Sequence, residues 1–303
     1  MTQQKPGDDL AYPVEQEDTL LPFLLAHVKG KSRNNIKSLL SRRQVRVDGR
    51  VTTRFDHPLM PGQRVSIQRP ESMGKGAKLP FPILYEDGEL LAVDKPAGLL
   101  TIATQKERER TAYHLAREYV ESSGAGRRIF IVHRLDQDTS GVLVFAKDEG
   151  LKLALQEQWE TLVELREYLA VVEGTLPERS GVCHTWLRET ATHLVYSGER
   201  RDGKEAITHY EVLAERDGYS LVRVRIDTGR KNQIRVHMRE LGNPVAGDKK
   251  YGAGTDPMGR LGLHASRLAF RHPRTGELLQ FQAKLPREFR RMFPDIDNIV
   301  KKG

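Results

Sequence analysis

The chain has 303 residues, 38% hydrophobic and 30% charged, with a formal net charge of +8. That composition excludes a disordered chain and fits one to three folded domains, and the lack of any apolar run of about eighteen residues excludes a membrane-spanning helix. The start, MTQQKPGDDLAYPVEQED, lacks the basic and apolar regions of a signal peptide, and the one cysteine, Cys183, leaves neither an internal disulfide nor a zinc-site spacing, so a cytoplasmic location is expected.

In chain order, residues 1–17 read as a flexible tail and 18–69 as a small domain. DTLLPFLLAHV has helical periodicity with Asp18 or Thr19 as its cap, and SRNNIKSLLSRRQ predicts a second helix starting at Ser32. VRVDGRV alternates around an Asp-Gly turn, a strong hairpin signal, and QRVSIQR is a further strand. Between Lys31 and Arg69 lie ten basic residues against the acids Asp48 and Asp56, which equals the whole chain's net charge of +8. Basic residues concentrated on one module point to a polyanionic partner, and Arg33 and Lys37, at i and i+4, share a helix face suited to phosphates. Residues 70–82, rich in Pro and Gly, read as a linker.

From Ile83 the chain alternates short strands with fewer helices. ERTAYHLAREYVESS and GLKLALQEQWETL predict helices, while ELLAVDK, REYLAVVEG, AITHYEVLAE, YSLVRVRID, LHASRLAFR and LLQFQAK predict strands. NQIRVHMRELG should begin extended and turn helical before Gly242. Strands joined without intervening helices argue for an α+β fold with a mixed, mainly antiparallel sheet over residues 83–292, followed by a C-terminal tail at 293–303.

FIVHRLDQDTSGVLVFAKD places two apolar strands around a polar insert, His133 to Gly141. A turn needs only Gly, Asn, Asp or Ser. An arginine beside an aspartate also holds that carboxylate ionised, fit to act as nucleophile or base, and here Asp136 and Asp138 both qualify. RIDTGRKNQIRVH brings Arg230 and Arg235, and NPVAGDKKYG adds a Gly-rich basic turn of the kind that offers backbone N–H groups to anions. Three polar loops set in an apolar strand framework suggest one convergent cleft.

From about Ile83 to Phe289 the chain resembles the RluA-type pseudouridine synthases. The motifs are DKPAG (Asp94 to Gly98), HRLDQDTSG (His133 to Gly141), REYLAVVEG (Arg166 to Gly174), AITHYEVL, TGRKNQIRVH (Thr228 to His237), NPVAGDKKYG and LHASRLAFRHPRTGE. The N-terminal segment resembles an S4 RNA-binding domain in Ser32-Arg33, Ile36, Leu40, VRVDG and Pro61-Gly62, departing where Arg43-Gln44 stands in place of the usual glycine turn. The resemblance implies Asp136 as the catalytic aspartate, with Arg230 paired to it and Tyr168 packed on the target base. Arg134 would extrude the nucleotide or fill its gap, and Ile234 would line the uracil pocket. His133, Thr139, Arg166 and Arg235 complete the expected substrate site, and Arg33, Lys37, Arg42, Arg43 and Arg46 the expected RNA contacts of the S4-like part. Arg166 and Asn232 stand where the family usually has Lys and His, and neither is expected to touch Asp136.

The implied reaction breaks the uridine C1′–N1 bond, turns the uracil and forms C1′–C5. It is redox-neutral, so no cofactor or metal is expected, and the buried base has to be flipped out to be reached. Ribosomal RNA is the expected substrate, transfer RNA the other candidate, and a monomer the expected state. Two rival readings are a catalytically inactive RNA-binding or ribosome-assembly factor on the same fold, and a glycosidase using Asp136 and Asp138 as its carboxylate pair.

Overall fold

A computed structural model describes residues 10–28, 33–41, 44–67, 78–104, 107, 109–123, 127–199 and 201–301. In the N-terminal part, helices Leu20–His27 and Arg33–Ser41 pack on an antiparallel four-stranded sheet. Its strand order is Leu10–Pro13, Arg64–Ile67, Val45–Val47, Arg50–Val51. Leu20, Leu24, Ile36, Leu40, Val45 and Val65 form its core. Asp48 and Gly49 take φ of 49° and 78°, the positive values a two-residue hairpin turn needs. Of the tail expected over residues 1–17, the described part, from Leu10 on, is ordered into the fold. Leu10–Pro13 pairs with Arg64–Ile67, because Tyr12 and Val14 supply apolar surface that the small core takes up.

Arg33 and Lys37 are exposed along the second helix, and Arg46 Nη1 donates to the Gly49 carbonyl at 3.0 Å. Ser32, Arg42 and Arg43 lie outside the described residues.

The rest of the described chain is built on one eleven-stranded sheet. Its main path runs Val195–Gly198, Ser180–Glu189, Lys204–Arg216, Tyr219–Ile226, Val163–Glu173, Leu263–Arg271, Ser140–Ala146, Leu90–Lys95, Ile83–Glu86. Leu278–Gln282 joins Leu263–Arg271, and Phe130–Ile131 joins Ser140–Ala146. Every pairing is antiparallel except one. Ser140 and Gly141 run parallel to His264 and Ala265, at the middle of the sheet. All residues of Ser140–Ala146 are buried, as an unbroken apolar run in a central strand should be. The sheet is therefore mixed and mostly antiparallel, as expected.

The parallel joint explains one glycine. Gly141 has φ of 115°, and a Cβ there would sit 2.1 Å from the Ala265 carbonyl oxygen. Only glycine lets the two backbones meet so closely. The C-terminal residues are no tail: helices Arg287–Met292 and Ile296–Lys301 lay Phe289, Phe293 and Ile296 against Leu169, Val171 and Leu221. Three large apolar side chains within eight residues are enough to hold this end on the sheet.

Candidate active site

The loop between Phe130–Ile131 and Ser140–Ala146 is pinned at several points. Val144 N–H donates to His133 Nε2 at 3.0 Å, which places the ring proton on Nδ1. The His133 ring stacks on Trp159 with centroids 5.2 Å apart, and burial pushes its pKa down to about 4. This histidine is a neutral brace for the loop. Thr101 Oγ1 donates to the Leu135 carbonyl at 2.6 Å. Lys95, from DKPAG, is fully buried and donates to the carbonyls of Pro96, Leu99 and Gln137 at 3.0, 2.7 and 2.9 Å. One ammonium thus ties the DKPAG turn to the residue after Asp136, and burial lowers its pKa to about 7 against the pull of Asp138 and Asp136. Thr139 is buried and closes the turn with its N–H on the Asp136 carbonyl at 3.2 Å.

Asp136 lies between two cavities. One is an open cleft of about 640 Å³, bounded by the Val132–Asp136 loop, residues 156–161, Arg166, Tyr168 and residues 226–231. The other, about 80 Å³, is lined by Tyr168, Ile226, Ile234 and Leu263 on its apolar side. Burial raises the Asp136 pKa, opposed first by the charge of Arg235, then by the backbone N–H of Asn232, then by Arg134 and Lys231. Tyr168 faces the same space. The register of its strand shifts between Glu167 and Leu169, a bulge of the kind that re-aims a side chain. Burial raises the Tyr168 hydroxyl to about 12, so it is a neutral phenol.

Two expectations about this site need correction. Arg230 does not pair with Asp136: its Nε donates to the Glu205 carbonyl at 2.8 Å, and the charge acting most on Asp136 is Arg235. The reason lies in Asn232. The strand before it ends at Ile226, and Asn232, with φ of 54° and ψ of 17°, caps the helix Gln233–Glu240, which starts without an extended lead. That turn carries Arg235 toward Asp136. Asn232, moreover, does touch Asp136, through its main-chain N–H. Asparagine suits a left-handed position better than most residues, and its amide donates to Tyr251 Oη at 3.0 Å and accepts from Arg235 at 3.2 Å.

The NPVAGDKKYG turn, Gly-rich but without phosphate-loop spacing, holds an arginine in place. Asp248 is buried and takes a two-pronged ion pair from Arg235, at 2.6 and 2.7 Å. The Tyr251 ring lies 5.0 Å beneath the same guanidinium. Asp248 and Tyr251 therefore fix Arg235, and sequence reading missed both; the signal was an acid and an aromatic thirteen and sixteen residues beyond a buried arginine. Gln233 organises the other half of the loop. It accepts from Arg230 N–H at 3.0 Å and Thr228 Oγ1 at 2.9 Å, and donates to Ile207 and Thr208. Arg166 donates to the Asp227 carbonyl and borders the cleft beside Tyr168. Ile234 is buried under the smaller cavity.

The arrangement is an ionisable carboxylate among three cations, Arg235, Arg134 and Lys231, beside a neutral phenol and an apolar pocket. The family model for RNA pseudouridylate synthase matches residues 89–240, which include this loop, Tyr168 and the 226–235 turn. The chain is an RluA-type RNA pseudouridine synthase. The uncharacterized RNA pseudouridine synthase YlyB of Bacillus subtilis is 33% identical over 303 residues, 97% of this chain and 99% of that protein. Ribosomal large subunit pseudouridine synthase D of Xanthomonas campestris is 32% identical over 278 residues, 86% of this chain and 83% of that protein. Among solved structures, human RNA pseudouridylate synthase domain containing 4 superposes with a TM-score of 0.60 at 25% identity, covering 71% of this chain and 92% of that one. The synthase is an isomerase, and neither the glycosidase reading nor the inactive assembly factor survives.

Proposed function

We propose that this synthase isomerises uridines of ribosomal RNA with Asp136 as its catalytic carboxylate. The observation that carries the reading is the setting of Asp136: half-buried at the meeting of a large polar cleft and a small apolar one, with Arg235, Arg134 and Lys231 all acting to keep it ionised. The open cleft takes the sugar and phosphates, and the apolar pocket of Tyr168, Ile226, Ile234 and Leu263 takes the flipped uracil. Asp136 attacks C1′ or removes the C2′ proton. Both routes need the anion, and both leave the base free to turn against the Tyr168 ring. Arg134, exposed at the cleft mouth, holds the flipped nucleotide's place. The large-subunit names of several relatives support ribosomal RNA as the substrate.

The test is pseudouridine mapping across all RNAs in cells with and without the gene. A site in large-subunit ribosomal RNA disappears on deletion and returns with the wild-type protein. Loss confined to transfer RNA would overturn the ribosomal part.

The small N-terminal part is the second contact with RNA in this reading, an S4-like module using Arg33, Lys37 and Arg46 on phosphates, with Arg42 and Arg43 beside them in sequence. Arg33→Gln with Lys37→Gln lowers the slope of log affinity against log salt by about 1.5, the value for two lost phosphate contacts. An unchanged slope removes this helix face from the RNA interface.

A further inference from the structure

A second cavity of about 450 Å³ adjoins the catalytic cleft. The two share one wall, Gly229, Arg230 and Lys231. Its floor is apolar, from the buried side chains of Leu187 and Val195. Its sides carry Arg188, Glu189, Asp202 and Lys204. The acids are already engaged: Glu189 with Lys231 and His193, Asp202 with Arg188 at 3.4 Å. What remains open is cationic. Arg230 is anchored through Nε on the Glu205 carbonyl, so its two Nη groups have no partner among the described residues, and neither has Lys204 Nζ.

We infer that this cavity is the subsite for the nucleotide flanking the target uridine, with the phosphate between the two held over the Arg230–Lys231 wall. The inference rests on the proposed reading of the first cleft as the site of the flipped uridine. Once that nucleotide is in the cleft, the strand has to leave over its rim. The 229–231 wall is a rim with a second depression behind it, sized within the usual 300–1,000 Å³ range of ligand sites. An apolar floor under charged walls suits an unstacked base with its phosphate outside, the common form of single-strand RNA recognition. Arg230, read in sequence as the partner of Asp136, is on this view a phosphate ligand.

Photocrosslinking tests it. p-Benzoylphenylalanine is placed at Asp202, exposed on the second cavity, and separately at Glu160, exposed on the first. Each protein is irradiated with total RNA from cells lacking the synthase, and the crosslinked nucleotides are mapped. From Asp202 the crosslink falls within about two nucleotides of the converted uridine. A crosslink from Glu160 near that uridine, with none from Asp202 or one far from it, overturns the subsite and leaves the function standing. Crosslinks near a uridine of another RNA overturn only the ribosomal assignment. No crosslink from either position overturns the cleft as the RNA site, and the subsite with it. In parallel, Lys204→Glu raises KM about tenfold for the mapped RNA, and an unchanged KM sinks the proposal.

Discussion

Asp136→Asn folds, binds RNA and forms no measurable pseudouridine, a loss of roughly 10⁴-fold or more, as for other enzymes stripped of the group that does the chemistry. It also melts at a higher temperature than the wild type at neutral pH. Burial raises the Asp136 pKa above its ordinary value of 3.8. The folded state therefore holds this proton more tightly than the unfolded one. The cost of burying the anion is fully present above the folded pKa and disappears as pH falls below the unfolded value. The stability gap between variant and wild type is thus widest at neutral pH and closes toward about pH 4. Thermal melts across pH check the sign, and a gap that widens in acid refutes it. The same raised pKa sets the acid limb of wild-type activity. The rate falls while pH is still above the ordinary aspartate range, because only the anion works. Wild-type turnover by Asp136→Asn would end the assignment.

Asp248→Ala costs about 3–5 kcal/mol of stability, since it strips a buried guanidinium of its carboxylate. The pair is buried on both sides, with Asp248 1% and Arg235 8% exposed. Asp248 never enters the cleft, yet the substitution changes catalysis in a specific direction. Arg235, freed from one acid, acts more strongly on the other, and the acid limb of activity moves to lower pH as Asp136 ionises more readily. Urea denaturation and a pH–rate profile on the same variant read the two effects. A loss under about 1 kcal/mol with an unmoved acid limb would show that Asp248 does not hold Arg235 for the site. Arg235→Met with Asp248→Leu recovers most of the stability, as apolar replacements of buried pairs do, without recovering activity.

Periodicity exposed most of the sheet, since strands such as LAVVE and VLVFA are apolar runs bounded by turn residues, and the Asp-Gly hairpin carried its own geometry. The loop chemistry showed in part: an arginine and two acids between core strands also fit a loop cap with its salt bridge, and only the two further Arg-bearing loops tipped the balance toward a site. What stayed hidden depends on single backbone angles and on tertiary neighbours. The left-handed Asn232 decides which of two arginines meets Asp136, and no pattern of apolar residues reports a φ of 54°. His133 read as a substrate-site residue, yet burial makes it a neutral brace, and Lys95, which the DKPAG motif did not single out, turns toward three carbonyls. The short N- and C-terminal stretches looked like tails because a few apolar residues show no period, although they are enough to dock on a core built elsewhere.

The pairing of Ser140 and Gly141 with His264 and Ala265 also bears on when the enzyme becomes an enzyme. Chain synthesis delivers the aspartate loop long before the strand that flanks it, and more than a hundred residues must emerge in between. Joining strands so far apart in sequence is entropically slow, and domains assemble only once their parts exist. A nascent chain still short of Ala265 carries Asp136, Tyr168 and Arg235 without the central strand that sets them side by side. The active site of the synthase is therefore assembled only when its own translation is nearly done.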